Sequence, residues 1–378
     1  MLFSLMACAV LVVGQLYVTL PLVADIAARF GVSSSIAGWV GTAFGLAYAS
    51  GFLVLGGLSD RYGRHRVLIG GLMGTAAATA LVALAPSLPL LLASRALQGF
   101  VAASFPPTAL AWVSDALPPP KRPLGISLLS LAFLGAAPMA QMAGAESAPL
   151  GLSTLMLTLV PAYVLGALAL AVIPGKHDAS HVSIPQPPAN ARMPWGQRSL
   201  WSPWAAASTV LFAFVAFHAG MSLANPPGLD LQALRLIGLP PMLATFAAAP
   251  LAQRIGPSNT ASLGLGLVAV GMLLGMNSAP AVLMLASALL STGVAMAIPG
   301  LIGTVALRSA PAVRARALAI YSFVLFLGAS VAAPVAALLT PHGPVAALGV
   351  PVLALLAAAC LTASRRQPLF NPNPERKA

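Results

Sequence analysis

Charge is what this sequence has least of. Lys, Arg, Asp and Glu together make up 7% of its 378 residues, and seven of them are acidic. An average soluble domain carries roughly 25% charged residues. With 59% hydrophobic residues and a mean hydropathy of +0.92, a water-soluble fold of this size has too little interior to hide its apolar surface. That excludes a soluble domain and implies a polytopic membrane protein. Cysteine is scarce too. Cys8 and Cys360 stand in apolar runs near opposite ends of the chain, which excludes a disulfide framework and a cysteine-based metal site; both read as small packing residues. The sequence has no Gly-x-x-x-x-Gly-Lys-Ser/Thr loop, so ATP-driven transport within this chain is not expected. No Cys/His cluster or Ser/His/Asp context points to an enzyme, a metal or a cofactor.

What is present is a series of long apolar runs. A spanning helix needs roughly 20 mostly apolar residues, and on that rule the expectation is an all-α chain of twelve transmembrane helices: 3–25, 35–57, 67–85, 88–113, 124–145, 150–173, 204–224, 232–252, 259–277, 281–306, 317–339 and 344–363. The first run lacks a basic leader and a small-residue cleavage site, so it reads as a span and not as a removed signal. Pro240, Pro241 and Pro250 interrupt the eighth run; such breaks are tolerated where neighbours satisfy the freed backbone.

Positive charge is unevenly placed. With the N-terminus on the cytoplasmic side, the cytoplasmic segments hold Arg61, Arg64, Arg66, Lys121, Arg122, Lys176, Arg192, Arg198, Arg254, Arg308, Arg314, Arg316, Arg365, Arg366, Arg376 and Lys377, which is 16 of the 19 basic residues; Arg29, Arg95 and Arg235 fall elsewhere. This asymmetry is the positive-inside rule. It implies cytoplasmic termini, and it accounts for the net charge of +12 without a nucleic-acid partner. The lipid bilayer is the expected surrounding.

The chain also repeats itself. At an offset of 193 residues, LLLAS at 90–94 meets LMLAS at 283–287, Pro106 meets Pro299, Pro118 meets Pro311, and LSDRYG at 58–63 meets LAQRIG at 251–256. A polar, Pro- and Ser-rich stretch separates the copies. The expected organisation is a six-helix bundle over 1–174, a cytoplasmic linker over 175–203, and a second six-helix bundle with a short cytoplasmic tail over 204–378. Parallel repeats of this kind are a known transporter arrangement.

The densest charge lies between the second and third runs, in GGLSDRYGRHRVL at 56–68. The loop is short, Gly63 permits a positive φ, and Asp60 is the only acid among its arginines. Two readings are open: a solvated loop that orients the chain, or a contact that holds parts of the protein together. A second charge, Arg95, falls about seven residues into the fourth run, or about 10 Å along the helix. An arginine at such a depth is a functional hypothesis by default; the alternative is a side chain that snorkels to the interface.

The loop resembles the signature of the major facilitator superfamily, Gly-x-Leu-x-Asp-Arg-x-Gly-Arg-Arg/Lys-x-x-Leu, through Gly56, Leu58, Asp60, Arg61, Gly63, Arg64 and Leu68. His65 departs from it, standing where Arg or Lys is usual. Arg95, Gln98 and Gly99 resemble the family's Arg-x-x-Gln-Gly element, and the chain as a whole is similar to drug:proton antiporters and arabinose-efflux-like permeases. The resemblance implies that Asp60 contacts the start of the eleventh span near Ala317 and latches the cytoplasmic side, with Asp115 as a partner for Arg61 or Arg64. It also implies that Arg95, Gln98 and Gly99 serve proton coupling. Gly135, Pro138 and Gly144 echo the composition of an antiporter motif in the fifth span, and close helix packing explains them equally.

No acid lies at the centre of a span. Asp25, facing Arg95, is the first candidate for the proton carrier, and His218 is the second, because histidine titrates near neutral pH. Gln15, Tyr17, Tyr48, Trp112 and Tyr321 are the candidates for lining a substrate cavity, alongside readings as packing or interfacial residues. The implied activity is proton-coupled efflux of small lipophilic compounds or metabolites by a monomer in the bacterial inner membrane. Proton-linked uptake of a metabolite and a non-transporting sensor are the alternatives. Asp60→Asn is expected to leave membrane insertion intact and reduce transport; full activity in a flux assay would return the loop to a purely orienting role.

Overall fold

The computed structural model describes residues 1–118, 121–173, 197–310 and 313–363. Most of the expected linker and the tail beyond 363 lie outside the described residues. The described residues form helices and turns with no strand. Ten helical runs are long and apolar enough to cross a membrane, and two shorter apolar helices, Leu2–Gly14 and Pro351–Thr362, stand at the first and last expected spans.

The first bundle contains α1 (Leu2–Gly14), α2 (Val23–Phe30), α3 (Ser34–Ala37), α4 (Trp39–Leu55), α5 (Leu58–Tyr62), α6 (Arg64–Ala83), α7 (Leu88–Ala102), α8 (Phe105–Ala116), α9 (Arg122–Glu146) and α10 (Gly151–Ala171). The second contains α11 (Arg198–Ala224), α12 (Leu231–Leu236), α13 (Thr245–Ile255), α14 (Pro257–Leu274), α15 (Pro280–Arg308), α16 (Arg314–Leu339) and α17 (Pro344–Ala363). Helix α11 begins inside the stretch expected as linker. Leu200 and Trp204 are buried there, and the Trp204 indole donates to the Ala317 carbonyl at 3.1 Å, so packing extends the helix beyond the apolar run.

The first and fourth spans are broken where one helix was expected, and the eighth is interrupted at Pro240 and Pro241 as the sequence indicated; proline stands at the break in the fourth and eighth spans. In the first span, α1 stops at Gly14, and i→i+3 turns such as Leu20 N–H to Tyr17 C=O (3.1 Å) carry the chain past Pro21 to α2. The fourth span divides into α7 and α8 just before Pro106 and Pro107, neither of which can donate a backbone hydrogen bond. Its repeat copy, α15, runs unbroken through Pro299, because Gly300 replaces the second proline. In the eighth span, the 3₁₀ turn Pro240–Ala244 separates α12 from α13.

The repeat is visible in the backbone as well. Gly63 has φ +88° and ψ 139°, and Gly256 has φ +87° and ψ 151°. This region is essentially closed to residues with a Cβ. Each copy uses the same reversal to turn from the end of one span into the next.

Within a bundle, small residues bring helices together. A Cβ at Gly293 would lie 2.6 Å from the Gly264 carbonyl, and one at Gly264 would lie 2.7 Å from the Gly293 carbonyl. In lipid such close approach replaces the hydrophobic drive that associates helices in water. Large apolar side chains such as Leu81, Leu165, Leu273 and Leu285 remain exposed on the outside, as a hydrocarbon solvent allows.

Between bundles, α4 packs along α16, and α9 meets α12, α13 and the turn between them. Thr42 donates to the Ser330 carbonyl at 3.1 Å. A Cβ on Gly45 would collide with the Ser330 side chain. Further along α4, Tyr48 sits edge-on to Phe326 at 4.8 Å, and Phe52 stacks on Phe326 at 5.2 Å. Gln232 donates to Glu146 at 2.9 Å, at the facing ends of α12 and α9. Thr42, Glu146 and Gln232 all belong to the face opposite the arginine-rich loop.

Gly293→Val is expected to force α14 and α15 apart and lower stability by about 1–3 kcal/mol, the usual cost of overpacking. Gly266→Ala, where a Cβ meets nothing within 4 Å, is expected to melt like the parent. Thermal unfolding in detergent checks both.

Candidate functional site

Arg95 is fully buried and organises the core of the first bundle. Its Nη2 donates to the Gln15 carbonyl at 2.7 Å, and its Nη1 donates to Gln15 Oε1 at 3.1 Å and to Gln98 Oε1 at 2.5 Å. Its Nε donates to the Val40 carbonyl at 3.3 Å, and the guanidinium lies 4.5 Å from the centroid of the Phe44 ring. Gln98 Nε2 donates to Thr79 Oγ1 at 2.7 Å and to Gln15 Oε1 at 3.2 Å. Arg95 and Gln98 together thus tie spans 1, 2, 3 and 4. Every acceptor around it is neutral, and no carboxylate is paired with it among the described residues.

The local sequence makes this cage possible. The turns after Gly14 free the Gln15 carbonyl to accept from the guanidinium. Gly99 is required next to it, since a Cβ there would collide with the Phe44 carbonyl and push α7 off α4. Arg95 and Gln98, three residues apart, share one helix face, so both reach the same partners.

Asp25 does not face Arg95. It is exposed in the first turn of α2, which the turns after Gly14 set apart from α1. The last turn of the same short helix carries Arg29, which donates to Ser153 Oγ at 2.7 Å and to the Ala85 carbonyl at 3.0 Å.

His218 occupies a separate buried cluster in the second bundle. Its Nδ1 is 2.9 Å from the Phe214 carbonyl, and its Nε2 is 3.4 Å from Ser287 Oγ. The ring lies between Phe214 and Phe217. Ser222 donates to the His218 carbonyl at 2.9 Å and accepts from Arg235 at 3.1 Å. Arg235 is buried and was not singled out from the sequence. Its signal was there all the same, because it is one of the three basic residues off the basic side of the chain.

In the arginine-rich loop, Arg64 pairs with Asp115 at 2.8 Å and lies 3.9 Å from Asp60. Arg61 lies 5.4 Å from the centroid of the Tyr62 ring. His65 Nε2 is 2.9 Å from the Leu170 carbonyl, and its ring is 5.5 Å from that of Trp112, so the start of α6 is tied to the end of α10. Gly56 ends α4, and Leu58 begins α5. Among the described residues, no hydrogen bond or ion pair joins Asp60 to the start of α16. The ion pairs of the loop, Arg64 with Asp60 and with Asp115, stay inside the first bundle. The halves are joined on the opposite face, which leaves the loop disengaged.

The aromatic candidates do not share one wall. Tyr17, with Thr42, Val215 and Ser330, lines a cavity of about 30 Å³ at the seam between the bundles, a space for one or two water molecules. Tyr48 is buried beside that seam with no hydrogen-bond partner for its hydroxyl, enclosed by Phe44, Phe52 and Phe326. Gln15 is committed to Arg95, Trp112 lies by His65, and the Tyr321 hydroxyl points at the Ile298 carbonyl at 3.4 Å. Among the described residues no three His, Cys, Asp or Glu side chains converge as a metal site would require.

Comparison with known proteins places this geometry in context. The family model of the Major Facilitator Superfamily matches residues 5–244 and 233–378. A puromycin resistance protein of Streptomyces alboniger is 41% identical over 85 residues, 22% of this chain and 17% of that protein. A multidrug efflux pump of Mycolicibacterium smegmatis is 36% identical over 96 residues, 25% of this chain and 18% of that protein. The matches therefore span less than a fifth of either relative. In three dimensions, the crystal structure of a human organic anion transporter superposes with a TM-score of 0.70 at 20% identity, covering 96% of this chain and 98% of that one. A peptide transporter solved with sulfate gives 0.70 at 15% identity, covering 96% and 93%. At those identities the structural likeness speaks for the fold. The match along the sequence from residue 5 to 378 goes further: this integral membrane chain belongs to the Major Facilitator Superfamily of transporters.

Proposed function

We propose that the protein exports small lipophilic compounds in exchange for protons, by alternating access between two six-helix bundles. The observation that carries this reading is Arg95, a fully buried cation held by neutral acceptors alone, from spans 1 and 2 and from its own span. Burying a charge without a counter-ion costs several kcal/mol even after relaxation; in a membrane protein such a residue marks function by default. Arg95 favours any negative charge that reaches the core and opposes any further positive one. That coupling is what a proton-driven carrier needs. Gln98 and Gly99 position the guanidinium. His218 is the candidate proton carrier, buried in the other bundle and bonded to Ser287. Efflux, as against uptake, is supported by the relatives named for drug resistance.

The same reading assigns the face bearing the arginine-rich loop to the cytoplasm of a bacterial inner membrane, with both termini on that side. The conformation, joined through Thr42, Ser330, Glu146 and Gln232, is then the one closed on the outside. Asp60, uncommitted to the second bundle, is a latch waiting for the opposite state. Tyr17 and Tyr48 at the seam are the aromatic residues best placed to meet a substrate.

The test is flux in proteoliposomes under an imposed pH gradient, with lipophilic cations and uncharged dyes as trial substrates. Arg95→Ala is expected to abolish proton-driven flux. Arg95→Lys keeps the charge but loses the fork, and is expected to cut flux tenfold or more, in line with the roughly 1.5–3 kcal/mol of a hydrogen bond to a charged group. Unchanged pH dependence in Arg95→Ala would remove the residue from the coupling scheme.

A further inference from the structure

We infer that the groove between α4, α5, α6 and α7 is a binding site for an anionic phospholipid, with the phosphate at Arg66 and one acyl chain below it. The groove has a volume of about 590 Å³ and is open on one side. Its lining includes Leu55 of α4, Tyr62 of α5, Arg66 and Gly70 of α6, and Phe100 and Val101 of α7. Two adjacent glycines shape it. A Cβ at Gly71 would lie 2.5 Å from Ser104 Oγ, so α6 sits tightly on the start of α8 at that point. A Cβ at Gly70 would meet nothing within 4 Å, so the missing side chain is what leaves the trough open.

Charge is arranged to match. Of the three arginines in the loop, Arg64 is committed to Asp115 at 2.8 Å. Arg66 is exposed and has neither hydrogen bond nor ion pair among the described residues. Arg61 rests by the ring of Tyr62, which lines the same groove. Asp60 lies toward Arg64, at 3.9 Å. Arg66 therefore stands in the lining without an anionic partner, with Arg61 beside the lining residue Tyr62, while most of the lining is apolar. Gly70 is one turn from Arg66, about 6 Å along α6, which is the order of headgroup then chain that a bilayer leaflet imposes. Basic pockets between spanning helices recognise anionic headgroups by this chemistry. A zwitterionic lipid fits the trough but brings its own cation to the mouth.

Native mass spectrometry of the purified full-length protein in detergent tests the assignment, using phosphatidylglycerol and phosphatidylcholine of identical chains as probes. Phosphatidylglycerol should be retained at least fivefold better. Arg66→Gln, a surface change that leaves packing untouched, should lower that retention about fivefold, the weight of one arginine near an anionic surface. Gly70→Leu should fill the trough and abolish retention without lowering the melting temperature. Equal retention of the two lipids overturns the proposal, as does full retention of phosphatidylglycerol by either variant. Displacement of the lipid by free glycerol 3-phosphate at equal concentration would overturn it as well, since the groove would then read a phosphate and not a lipid.

Discussion

A single buried guanidinium sets the terms for the first bundle. Arg95 has no counter-ion among the described residues, so its hydrogen bonds must all come from neutral groups, and those groups have to be brought to it. The first span unwinds after Gly14 and gives up the Gln15 carbonyl. The second supplies the Val40 carbonyl and the face of Phe44. The third holds Gln98 in place through Thr79. Gly99 keeps α7 close enough for this to work. Each local irregularity, taken singly, would look like a weakness in a spanning helix. Together they solvate one charge where the bilayer cannot.

The seam between the bundles follows a different rule. Along α4 and α16 it holds a hydrogen bond from Thr42 to the Ser330 carbonyl, a side-chain-free position at Gly45, and a stack of Tyr48, Phe52 and Phe326, and a second hydrogen bond, from Gln232 to Glu146, joins the ends of α12 and α9. Such a surface binds mainly by shape and dispersion, and the carboxylate at its edge, Glu146, is exposed, so parting it strands no buried ion. The ionic contacts that do exist near the loop, Arg64 with Asp115 and with Asp60, lie within one bundle. This division suits the proposed alternating access, in which the halves part without breaking an ion pair.

Much of this was legible in the sequence. Twelve apolar runs, the uneven placement of arginine and the repeat at 193 residues locate the spans and the family. The identical backbone reversal at Gly63 and Gly256 shows that the faint match LSDRYG to LAQRIG was structural. The breaks were harder to see. An i→i+3 turn and an α-helix use the same apolar letters, so the interruptions after Gly14 and before Pro106 leave no mark on hydropathy. Asp25 was misplaced for the same reason: on a straight helix it would stay with the core, but past the turns it lies on an amphipathic stub. Arg235 was passed over because partners such as Ser222 come from a neighbouring span, and spacing along the chain does not reveal them. The three basic residues that broke the charge asymmetry, Arg29, Arg95 and Arg235, all turn out to have specific partners.

The neutral cage around Arg95 also has an electrical meaning. A net charge fixed inside the bilayer sits in the field of the membrane potential, and carrying one elementary charge across the full thickness is worth about 2.3 kcal/mol per 100 mV. Arg95 rides with the first bundle, so any tilt of that bundle that shifts the residue along the membrane normal moves charge through part of that drop. Under the proposed alternating access, the resting voltage of the cell would thereby enter the balance between conformations directly.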